Sequence, residues 1–353
     1  MDQLIEISKL KRKKKFGNKS IRNYGIDLLK IFSMINIIIL HINLYSGQLK
    51  LPINKPVWFL EAMSYFAVDC FGLISGIVGF KKYKFSNLIF IWINTSFYSF
   101  IISLYLYCIN RIKFKNMILS FFPILINRHW YVNKKIYRNL IFFYFLFFSF
   151  YYIIGLILNQ SKNDFIFLRE GYSSHWLIIL YIIGGYLGKY IIINKNFKSF
   201  KYYIIYILIY IFSAFITSES FFILNNTTFY NKYILYNYLS PTIIFEALSL
   251  TMMFSKFSFN KFAIKIILFF IPLNLNITLL HLRLFTEKII TFIWLKKVKS
   301  NMIFIVIYQF GLILYIFLGL IDYLRSIFFK ILKIKQFCLF IEDKFSKLMD
   351  KYN

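Results

Sequence analysis

Long apolar runs, broken by short basic stretches, recur from one end of the chain to the other. Runs that approach the ~20 residues needed for a bilayer crossing centre near Ile37, Phe71, Phe97, Phe145, Ile182, Tyr206, Phe245, Ile271 and Leu312, which predicts nine spans. A tenth, Met117 to Tyr131, is shorter and carries Pro123, Arg128 and His129. The pattern predicts an all-α, polytopic integral membrane helical bundle of about 10 transmembrane helices.

Composition points the same way. With 59% hydrophobic residues, 45 Phe and 28 Tyr among 353 positions, a single soluble domain is excluded. A net charge of +29 would suggest nucleic acid in a soluble chain. Here the Lys and Arg sit between apolar runs, where cytoplasmic loops hold them, so the bilayer is the expected partner and no nucleic acid is.

Placing the amino terminus inside and letting Met117 to Tyr131 cross puts Lys134 to Arg138, Lys189 to Lys201 and Lys256 to Lys265 on the inner side. The poorly charged Asn159 to Ser173 and Phe221 to Lys232 then fall outside. Arg111 to Lys115 and Lys296 to Lys299 face outward against the trend. The expected location is the cell membrane, multi-pass, with both termini cytoplasmic.

Three regions follow. Residues 1–20 form a basic cytosolic arm with no signal-peptide core, drawn to anionic headgroups. Residues 21–325 form the transmembrane domain. Residues 326–353 form a basic tail, either solvated or, through Phe328, Phe329, Leu332 and Phe337 among lysines, an interfacial amphipathic helix. Cys70, Cys108 and Cys338 are scattered without ligand spacing to His, so neither a metal site nor a disulfide framework is expected.

Ionisable groups inside apolar runs are the candidates for chemistry, because they are expensive to keep there. In the first run, Lys30 and His41 lie eleven residues apart, about three helical turns, so they share nearly one face, with Asp27 close to it. His41 could instead be packing glue between helices. The second run, Tyr65 to Lys84, holds Asp69, which needs a partner such as Lys30 or His41, and Ser75. It also holds Gly72 and Gly76, four apart as in close-packed helix pairs. Lys81, Lys82 and Lys84 close it; they suit anionic phosphates and also satisfy topology alone. Further on come Trp130 and Tyr131 after Pro123, the helix-packing Gly184 and Gly188, and His281.

In order, these pieces resemble the acyltransferase 3 family of multi-pass proteins that move acetyl or other acyl groups onto cell-surface carbohydrate. The match runs through Arg22, Lys30 and His41; Asp69, Phe71, Ser75 and Gly76; Pro123, Trp130 and Tyr131; Gly184 and Gly185; and His281. It departs from the family where Lys30 replaces the usual arginine and Leu279 a commoner tyrosine. The resemblance implies a membrane O-acyltransferase that takes its acyl group from acetyl-CoA or another acyl-CoA and modifies a saccharide or glycolipid hydroxyl, without a metal. His41, Asp69 and Lys30 would then be catalytic. Lys30, Lys81, Lys82 and Lys84 would bind the coenzyme, and Asp27, Ser75, Trp130, Tyr131 and His281 would line the substrate pocket. Two alternatives are a transporter or flippase using buried acids such as Glu219 and Glu246, and a non-catalytic family member acting as a binding subunit.

Overall fold

The computed structural model describes residues 22–50, 55–79, 85–109, 173–192, 200–225, 235–286 and 300–352, with 111, 171, 295 and 298 as single residues. Among the described residues all regular structure is helical. The helices are α1 (Tyr24–Ser46), α2 (Lys55–Val78), α3 (Phe85–Cys108), α4 (Ser174–Tyr186), α5 (Phe200–Asn225), α6 (Pro241–Ser255), α7 (Lys261–Phe270), α8 (Asn274–Thr286), α9 (Ser300–Ile331) and α10 (Ile334–Tyr352).

Sequence-local chemistry sets several of these ends. Asn23 caps α1 by accepting from the Gly25 and Ile26 amides at 3.0 and 3.3 Å, and Gly47 ends the helix at φ 72, a left-handed value glycine adopts without penalty. Ser173 caps α4 through the Trp176 amide at 3.2 Å, and α6 opens on Pro241, whose missing N–H costs nothing in a first turn. The single span expected around Ile271 is interrupted. Pro272 sits in a 3-10 turn, Ile271–Leu273, between α7 and α8, because a proline inside a helix removes a hydrogen bond and clashes with the preceding turn.

Among the described residues, five helical stretches, in α1, α2, α3, α5 and α9, are long and apolar enough to cross a membrane. Their outer surface is compatible with lipid: Leu208, Phe212 and Ile223 on α5 and Ile313, Leu324 and Ile331 on α9 are each more than half exposed. Exposed apolar surface on that scale is rare on soluble monomers and marks interaction with a membrane or a protein partner. The expected span near Phe145 and the tenth, Met117 to Tyr131, lie outside the described residues, as does the arm of residues 1–20.

The helices run between two ends of the bundle, α1 and α5 in one direction and α2, α4 and α6 in the other. At one end Asn23 donates to the Ser255 carbonyl at 2.8 Å, Tyr203 to the Lys256 carbonyl at 3.0 Å, and Lys256 to the Ile192 carbonyl at 3.3 Å. At the other, Trp58 stacks on Phe221 at 3.8 Å, Tyr236 donates to the Trp58 carbonyl at 2.8 Å, and Lys55 pairs with Glu219 at 3.5 Å. The first end gathers Arg22, Lys189, Lys201, Lys256, Lys261, Lys330 and Lys333, and we call it the basic end.

α2 and α4 lie side by side with almost nothing between their backbones. A Cβ on Gly76 would stand 2.0 Å from the Tyr181 carbonyl oxygen, and one on Gly184 2.0 Å from that of Leu73. The glycine spacing expected to mark close packing does so here. On the other flank, α9 continues through residues 326–331, which the sequence assigned to the tail. Phe329 packs edge-on against Phe90 and Phe97, while Asp322 and Arg325 form a buried ion pair at 2.6 Å that also takes bonds from Tyr98 and Asn276 and reaches Asn94. The helix therefore ends only at Ile331, before Lys333 turns the chain at φ 52 into α10.

Candidate functional site

Two histidines 240 positions apart meet at the end of the bundle opposite the basic one. His41 lies five residues before the end of α1 and His281 five before the end of α8, so both stand roughly one and a half turns, about 8 Å, inside that end. Nδ1 of His41 is 2.9 Å from Nε2 of His281, and Nδ1 of His281 is 2.8 Å from the Ile277 carbonyl oxygen one turn back on its own helix. Phe285 packs against both rings and Tyr45 against that of His41. His281 is fully buried and His41 part-exposed.

These bonds assign the protons. A carbonyl oxygen only accepts, so His281 carries its proton on Nδ1 and offers Nε2 as an acceptor. His41 must then donate from Nδ1, which leaves the lone pair on its Nε2. No hydrogen bond to that nitrogen is made among the described residues. The arrangement is a base with its other nitrogen held by a neighbour, as in nucleophile-activating triads. Here a second imidazole stands where a carboxylate commonly does.

Asp69 is not that neighbour. Trp176 Nε1 donates to its Oδ1 at 2.9 Å, and the adjacent Cys70 lies beside Ser33, eight residues before His41 and about 12 Å along the helix. The expectation that Asp69 orients His41 gives way to His281, because the antiparallel register of α1 and α2 puts Asp69 at mid-bundle. That register is read from Asn36 meeting Ser64 at 3.1 Å and Asn43 meeting Glu61 at 2.8 Å.

The other expected site residues are spread along the same axis. Asp27 accepts from Arg22 at 2.5 Å at the basic end, about 21 Å of helix rise from His41. Ser75 is exposed near the basic end of α2, its hydroxyl bonded to the Phe71 carbonyl at 2.7 Å. Lys30 is part-buried in the basic half of α1. Lys81, Lys82, Lys84, Trp130 and Tyr131 lie outside the described residues.

Sequence reading missed Glu61, which is buried and bonded to Asn43, and did not anticipate Trp176 as the partner of Asp69. The signal for Glu61 was present: an acid six residues into an apolar run that begins at Lys55. Compared with protein-family models, with curated proteins and with solved structures, the chain matches none of them.

Proposed function

We propose that the chain is a membrane O-acyltransferase that moves an acetyl or other acyl group from acyl-CoA to a hydroxyl of a cell-surface polysaccharide or glycolipid. The observation that carries this reading is the His41–His281 pair, 2.9 Å apart, with an unengaged Nε2 on a part-exposed His41. The ordered resemblance of the motifs supplies the donor and acceptor classes.

In this mechanism Nε2 of His41 takes the proton of the acceptor hydroxyl as its oxygen attacks the thioester carbonyl. The imidazolium that forms stays bonded through Nδ1–H to Nε2 of His281, which spreads the charge. When the C–S bond breaks, the thiolate leaves with the proton from His41 Nε2, so the base is regenerated. Packed apolar walls, including Phe285, keep water from competing for the acyl group. Lys30 and the Lys81, Lys82 and Lys84 group, which follows α2 in sequence, would meet the coenzyme's phosphates from the basic end. The acyl-bearing arm would reach up the bundle toward His41.

The same reading makes the basic end cytosolic, with both termini on that side of the cell membrane, and takes the bundle to about 10 spans. Glycan acetylation should be measured in cells carrying the wild-type chain or His41→Ala at equal abundance. A loss of at least about 100-fold is expected for removing a general base. Retained acetylation would remove His41 from the mechanism.

A further inference from the structure

Toward mid-bundle, α1, α2 and α6 enclose polar groups that the acyl-transfer chemistry does not use. Asp69 and Glu246 are both fully buried, at 0% exposure, and their chain neighbours Cys70 and Ala247 meet, sulfur to carbonyl oxygen, at 3.7 Å. Trp176 satisfies one oxygen of Asp69, while its Oδ2 and both oxygens of Glu246 have no hydrogen-bond partner. The Ser33 hydroxyl, also at 0% exposure and unpartnered, points in from α1 beside the Cys70 thiol, which in turn feels both carboxyls.

Among the described residues no other group hydrogen-bonds to either carboxyl. The Cys70 thiol makes weak contacts with the Ala247 carbonyl at 3.7 Å and with Thr251 Oγ1 at 3.9 Å. Tyr210 of α5 faces Glu246 but gives its proton to the Met63 carbonyl at 2.7 Å. Ion pairs such as Arg22 with Asp27, Lys55 with Glu219 and Arg325 with Asp322 lie elsewhere, and neither carboxyl takes part in one among the described residues.

Two ionised carboxylates sharing a single donor, Trp176, would be costly in such an interior. A proton on one of them removes a charge and supplies an O–H donor. We infer that Asp69 and Glu246 form an intramembrane site that binds an exchangeable proton. Hydrogen-bonding side chains lead from it toward both ends of the bundle. On one side are Ser64 with Asn36, then Glu61 with Asn43; on the other are Thr251 and then Asn23 at the Ser255 carbonyl. The site stands on its own geometry, whatever reaction the histidine pair performs.

Infrared spectra of the full-length protein in lipid vesicles at neutral pH test this. The wild-type minus Glu246→Gln difference should contain the carbonyl band of a protonated carboxylic acid, moved within minutes by transfer into D2O, and the same band should be missing from Asp69→Asn. Trp176→Phe, which leaves both carboxyls in place, should shift the band by removing a donor. A wild-type protein without any such band, difference spectra flat in that region for both carboxyl variants, a band that D2O does not move, or one unaffected by Trp176→Phe would each overturn the assignment. A buried acid of purely structural role would keep its band unmoved in D2O.

Discussion

At the residue scale, what matters at the histidine pair is which nitrogen holds the proton. The proposed transfer uses the Nε2 lone pair of His41, which requires the proton to sit on Nδ1, and the Ile277 carbonyl fixes that indirectly through His281. His281→Ala should therefore lower kcat by about tenfold to a hundredfold with KM little changed, since the loss falls on the proton-bearing transition state. His281→Gln should recover part of that, because its amide oxygen can still accept from His41 Nδ1. Steady-state kinetics over a range of acyl-CoA concentrations decide it, and equal rates for the Ala and Gln variants would mean that His281 only fills space. Each histidine was legible in the sequence as a titratable group in an apolar run. Their pairing was not, because it joins α1 to α8 across 240 positions and no local periodicity encodes such a meeting.

At the element scale, the α2–α4 contact was the most legible feature. Gly72, Gly76, Gly184 and Gly188 sit at four-residue spacing, and a Cβ at any of them would meet the facing helix within 3.1 Å. Gly76→Val should weaken the fold by at least the ~1–3 kcal/mol typical of overpacking, since the obstacle is backbone that cannot rotate away. Thermal unfolding in detergent should show it, with Gly79→Val at the exposed end of α2 adding only backbone strain; equal midpoints for Gly76→Val and the wild type would contradict the contact. The break at Pro272 and the run of α9 through Ile331 were less legible. The first depends on how one proline is accommodated within a long apolar run. The second depends on the Asp322–Arg325 pair and its partners on α3 and α8, contacts that no tail sequence displays on its own.

At the scale of the whole molecule, apolar runs and charge clusters were enough to expect a helical bundle in a bilayer, and hydrogen bonds across the described helices sort their termini into two ends. Lysine lies mainly at one. With the native Cys108 replaced by serine, Lys55→Cys should react with an impermeant maleimide added outside cells, and Lys261→Cys only after permeabilisation. The reverse labelling would turn the bundle over. That polarity sets the central claim: the acyl donor arrives at the basic end and the histidine pair works near the other. The most direct test uses vesicles of known orientation containing the protein and its host's surface glycans, with labelled acetyl-CoA supplied on one side at a time. The account predicts labelled ester on glycan at the opposite face, only when acetyl-CoA is given to the basic end, and none with His41→Ala. Label transferred equally well by His41→Ala, or no transfer from acetyl-CoA on either side, would contradict it.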